Sequence, residues 1–73
     1  MKLRTFDKVN VAPVTRYHVF RGEEAVDSFV VDYQAEENNL DKLRELIKAG
    51  AEVRFVDTWY PVPDCLFVHV SVN

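Results

Sequence analysis

Three side chains in the sequence carry the donor atoms for metal or nucleophilic chemistry: Cys65, His18 and His69. A metal ion needs three or four such ligands converging at fixed spacing. Cys65 and His69 stand four residues apart, which on a regular strand is about 13 Å at about 3.3 Å per residue, beyond the span of one ion. Cys65 is better read as a small apolar residue of the core. A Cys/His nucleophilic pair would also need an acidified thiol, an orienting third group and a pocket that excludes water, and no pattern here encodes that pocket. Asp27, Asp32 and Asp57 supply carboxylates for acid–base work, yet on the wet faces of strands they are explained as solubilising residues. The two glycines, Gly22 and Gly50, fall in different connections, so no glycine-rich phosphate loop forms. The reading is a protein that is not an enzyme and takes no cofactor or metal.

The segment with most functional character is Asp57-Thr58-Trp59-Tyr60-Pro61-Val62-Pro63-Asp64, which holds the sole Trp and two prolines that fix φ and restrict the residues before them. A stiff loop can present Trp59 or Tyr60 as an anchor that loses little entropy on docking. Seven acids, Glu23, Glu24, Asp27, Asp32, Glu36, Glu37 and Asp41, occupy residues 23 to 41 with no basic residue among them. The expected contact surface is therefore Trp59 and Tyr60 with an acidic rim of Glu23, Glu24, Asp32, Glu36 and Glu37.

These residues must be positioned by a small sheet. Thirteen valines and five phenylalanines among 73 residues tilt the composition toward strands. Period-two alternation predicts a strand over 66 to 72, with Leu66, Val68, Val70 and Val72 on one face and Phe67, His69 and Ser71 on the other. Strands over 14 to 20 and 25 to 33 form a hairpin about Arg21-Gly22-Glu23-Glu24, with Tyr17 and Val19 opposed to Arg16, His18 and Phe20. Another runs over 52 to 59, with Val53, Phe55 and Trp59 on one side. Residues 3 to 9 read as a further short strand ended by Pro13. The one helix signal spans Asn38 to Ala49, where Leu40, Leu43, Leu46 and Ile47 share a stripe, Asn38 or Asn39 caps the start and Gly50 ends it. The expected fold is α+β: a small antiparallel-rich sheet of four or five strands in (β)ββαββ order, with one helix packed on one face. The N-terminal dozen residues and the Pro61–Asp64 loop are the expected mobile parts.

At 8.5 kDa the chain is one domain with a thin core. A single Cys argues for a reducing, cytoplasmic setting, and the apolar runs are far short of the roughly 20 residues that cross a bilayer, so no membrane partner is expected. Net charge is −3, but residues 1 to 22 sum to +4 through Lys2, Arg4, Lys8, Arg16 and Arg21 against Asp7. The expected partner is a larger protein or protein complex. Two alternatives differ in class: nucleic acid held by that basic third with Tyr17 and Phe20 as stacking groups, and a homodimer or higher oligomer joined through an exposed strand edge. In size, charge and helix-on-sheet architecture alone, the profile resembles the small inhibitors that phages and mobile elements encode against host machinery, such as anti-CRISPR proteins. No motif is shared, so the resemblance assigns no residue a role.

Overall fold

The computed structural model describes residues 1 to 58 and 65 to 73. Its elements run α1 (Leu3–Val9), β1 (Val14–Arg21), β2 (Glu24–Asp32), α2 (Leu40–Lys48), β3 (Glu52–Thr58) and β4 (Cys65–Val72). The fold is α+β, with one mixed four-stranded sheet in the order β2-β1-β4-β3. The β1/β2 and β3/β4 pairs are antiparallel, while the central pair β1/β4 is parallel.

The β1/β2 hairpin forms as its sequence requires. Gly22 turns the chain at φ 64°, in the left-handed region that a side chain disfavours. Alternation then sorts β1, sending Thr15, Tyr17 and Val19 inward. β2 contributes Phe29 and Val31 to that side, and β4 contributes Val68 and Val70. Helix α2 covers this face through Leu43, with Leu40, Leu46 and Ile47 at its margins, and Gly50 ends it at φ 77°. Its two asparagines divide the work at the helix start. Asn38 Oδ1 accepts from the Leu40 amide at 3.2 Å, while Asn39 Nδ2 donates to the Val30 carbonyl at 2.7 Å and occupies the outer edge of β2.

Three expectations need correction. Residues 3 to 9 form a helix, so the order is αββαββ, and two helices rather than one cover the sheet. Leu3 and Phe6 lie one turn apart and are both buried on the same core as Leu43, and this packing outweighs a strand-like composition. That same packing ties this N-terminal helix to the core. The third difference is in β3, where the register slips between Val53 and Phe55. The extra residue, Arg54, lets Val53 pack on the core while Phe55 turns to the opposite face. Helix α2 links β2 to β3, which are parallel to each other but lie at opposite edges of the sheet, so the connection spans its full width.

Both sheet edges are partly blocked. The Asn39 side chain occupies the outer side of β2 at Val30. At the start of β3 the Val53 amide donates to the Met1 carbonyl at 2.8 Å, the Leu3 amide donates to the Ala51 carbonyl at 2.9 Å, and Lys2 Nζ lies 3.3 Å from Glu52 Oε1.

Candidate functional site

The parity that buries Tyr17 and Val19 sends Arg16, His18 and Phe20 to the side of the sheet away from both helices. In β4 the same alternation separates Phe67, His69 and Ser71 from Val68 and Val70. Because β1 and β4 are parallel neighbours, Arg16 stands beside Phe67, His18 beside His69 and Phe20 beside Ser71. The β3 bulge then adds Phe55 next to His69.

The result is a continuous group of rings at the sheet centre. His69 is its hub: Phe55 stacks on it with centroids 4.0 Å apart and planes at 18°, and Phe67, His18 and Phe20 lie at 4.9, 5.4 and 5.6 Å. His18 also meets Phe67 at 4.2 Å. Phe55 is 54% exposed, whereas the other rings are half-buried by one another. The Arg54 guanidinium passes 5.2 Å from the Phe20 centroid and donates to the Gly22 carbonyl, pinning the hairpin turn over the end of the cluster. Among the described residues no helix or strand covers this face.

Charge is sparse here and balanced. Arg16 and Arg54 are matched by Asp32 and Asp57, and at the β3 edge Glu52, opposite Ser71, has its own counter-ion in Lys2 at 3.3 Å, so the face sums to zero apart from its imidazoles. Burial, then the neighbouring His69 and Arg16, hold the His18 imidazole below its usual pKa of 6.5, favouring the uncharged ring at neutral pH. Its Nε2 is enclosed with no hydrogen-bond partner among the described residues. Among the described residues neither histidine is paired with a nucleophile or an orienting carboxylate. Among the described residues no three His, Cys, Asp or Glu side chains gather as metal ligands, and Cys65 is buried.

A second polar cluster lies on the helix side. Burial, with Tyr33 and Asp7 next in effect, pushes the Tyr17 hydroxyl well above its ordinary pKa. Tyr33 donates to Asp7 Oδ1 at 3.2 Å, and Asn10 donates to the fully buried Thr15 hydroxyl at 2.9 Å. These bonds join α1 and its loop to the hairpin, a structural role.

The residues expected to form the contact surface are distributed otherwise. Trp59 and Tyr60, with the Pro61 and Pro63 loop, lie outside the described residues. The strand ends that flank this segment, Thr58 and Cys65, sit at the same end of the sheet as Asp32, as the pairings of Thr58 with Leu66 and of Val14 with both Asp32 and Cys65 require. Glu36 and Glu37 are exposed in the loop just after Asp32, whereas Glu23 and Glu24 occupy the turn at the opposite end of β2. The acids therefore divide between two ends rather than forming one rim. The basic third divides as well: Arg4 and Lys8 lie on α1, Lys2 precedes it and pairs with Glu52 at the edge of β3, Arg16 and Phe20 lie on the ring face, and Tyr17 is in the core.

Sequence reasoning overlooked the ring face as a site, although strand parity had already segregated His18, Phe20, Phe67 and His69. The missing information was the adjacency of β1 and β4. Among the described residues no helix is long and apolar enough to cross a membrane. No protein-family model matches the chain, nor does any curated protein or solved structure.

Proposed function

We propose that the chain is a non-catalytic protein-binding module whose contact surface is the ring-bearing face of the sheet. The observation that carries this reading is the cluster of Phe20, Phe55, Phe67, His18 and His69 on a face that no described element covers. Proteins seldom leave contiguous apolar patches of several hundred Å² in water unless something binds there. An aromatic centre poor in charge, with acids and bases at its margin, is the composition of a protein interface.

The zero net charge of the face favours a protein surface over nucleic acid, because a polyanion gains no net attraction there. Inhibition or modulation of a larger complex, as phage-encoded inhibitors perform it, is the specific form of this reading that the sequence suggested, and it would use the same face.

The test is capture from cell lysate with three immobilised baits: the wild-type chain, Phe55→Asp, and Glu45→Lys on the exposed side of α2. Proteins held by the wild type and by Glu45→Lys should be reduced at least about tenfold on Phe55→Asp, the loss expected when a charge enters an aromatic contact. An identical set of proteins on all three baits would remove the ring face from consideration.

A further inference from the structure

We propose that the cleft between the start of α1 and the end of α2 binds the phosphate group of a small phosphomonoester. This goes beyond the ring-face reading, because the cleft shares no residue with the ring cluster. Lys2, Arg4 and Thr5 line one wall, and Ile47, Lys48 and the Gly50–Ala51 turn line the other. The volume of about 330 Å³ falls at the lower end of the range for small-ligand sites, room for a phosphate with one ring attached.

Charge selects the ligand. Three of the chain's nine basic residues line this one cleft and no Asp or Glu does, although the twelve acids outnumber the bases. Lys2 has a counter-ion, with its Nζ 3.3 Å from Glu52 Oε1. Among the described residues Arg4 and Lys48 have no acidic partner, whereas Lys42 and Arg44, nearer the start of α2, are matched by Asp27 and Asp41. The backbone holds these cations together: the Leu3 amide donates to the Ala51 carbonyl at 2.9 Å, which fixes the start of α1 beside the end of α2. Like charges brought to one cleft by residues distant in sequence repel one another, and a bound anion relieves that repulsion.

The donors suit phosphate better than a carboxylate. A phosphomonoester carries close to two negative charges at neutral pH and three strong acceptor oxygens. The Arg4 guanidinium offers a fork to two of them, Lys48 supplies a point charge, and the exposed Thr5 hydroxyl donates to the third. Ile47 and the buried Ala51 add an apolar wall that a bare ion would leave in water, so the ligand is an ester whose organic part covers that wall.

Nuclear magnetic resonance titration of the intact chain at neutral pH tests this, using phenyl phosphate, inorganic phosphate and sodium chloride at matched ionic strength. Phenyl phosphate should give saturable shifts at the amides of Arg4, Thr5, Lys48, Gly50 and Ala51, with a dissociation constant of about 1 mM. Inorganic phosphate should bind at least about threefold more weakly, for want of the apolar contact. Replacing both Arg4→Gln and Lys48→Gln, at exposed positions, should weaken phenyl phosphate at least about tenfold while the remaining spectrum shows the fold retained. Lys8→Gln, on α1 but outside the cleft, and Phe55→Asp on the ring face should leave binding unchanged. The proposal is overturned by an absence of saturation up to about 50 mM phenyl phosphate, by equal shifts from chloride, or by inorganic phosphate binding as tightly as the ester. It is also overturned if Lys8→Gln weakens binding as much as the paired variant. Vesicles containing phosphatidic acid present the same group on a membrane, and retention by them without any response to phenyl phosphate would refute a small soluble ligand. None of these outcomes bears on the ring face, which lysate capture with Phe55→Asp tests separately.

Discussion

His18 concentrates most of the residue-scale physics of the ring face. Its ring is wedged between Phe67 at 4.2 Å and His69 at 5.4 Å, with Nε2 out of reach of a described partner. Burial, then His69 and Arg16, lower its pKa from 6.5, so the unfolded chain takes up the proton more readily than the folded one. A basic group with a depressed folded-state pKa leaves stability complete above the unfolded value of 6.5 and erodes it as pH falls below. The melting temperature should therefore drop between pH 7.5 and pH 5, and His18→Phe, which keeps a ring but removes the proton site, should recover part of that drop. Parallel pH profiles for wild type and His18→Phe, measured by thermal melts at low protein concentration, would transfer the effect to another group. Phe55 is the complementary case: 54% exposed, it stacks on His69 at 4.0 Å from outside the core and contributes little to the isolated fold.

Helix α1 illustrates how an element can be held almost wholly from outside. At seven residues it is too short to persist alone, and Lys2 at its start makes no side-chain cap. What holds it is the burial of Leu3 and Phe6, at 0% and 8% exposure, against the sheet and α2. Leu3→Ala should cost about 2–4 kcal/mol in urea denaturation, the range for a fully buried leucine. Val9→Ala in the same helix, 66% exposed, should cost under about 0.5 kcal/mol. Equal losses would mean that α1 is not docked as described. The same contrast explains what could be read from the chain. The β1/β2 hairpin, α2 and β4 have signals confined to neighbours in sequence: Gly22 between two alternating runs, a leucine stripe closed by Gly50, and an uninterrupted alternation from Leu66 to Val72. Helix α1 has two apolar anchors, and their meaning depends on Leu43, some 40 residues away in sequence. The bulge at Arg54 is likewise silent, because alternation alone places Phe55 with Val53. Candidate-site legibility follows the same rule, since parity separated the rings from the core while only strand order brought His18 to His69.

At the scale of the whole molecule, stability depends on the parallel junction between β1 and β4. These strands lie at the centre of the sheet, between β2 and β3, and they carry Thr15, Tyr17, Val68 and Val70, all 0% exposed. They are also distant in sequence, with Val14 paired to Cys65, so their contact closes a loop containing β2, α2 and β3. Opening that junction would divide the sheet into two hairpins, each too small to be stable alone. Local opening at the outer elements costs less: α1 is short, and the outer strands have neighbours on one side only. Native-state hydrogen exchange should therefore rank the amides of Tyr17, Val19, Val68 and Val70 slowest, at rates that track global unfolding, with α1 amides exchanging earliest. Leu3→Ala should speed α1 amides well before it affects the central pair. If α1 or β2 proved the most protected element, the parallel pair would not be the unit whose opening is global unfolding, and the cooperative core would have to be sought along the β1/β2 hairpin instead.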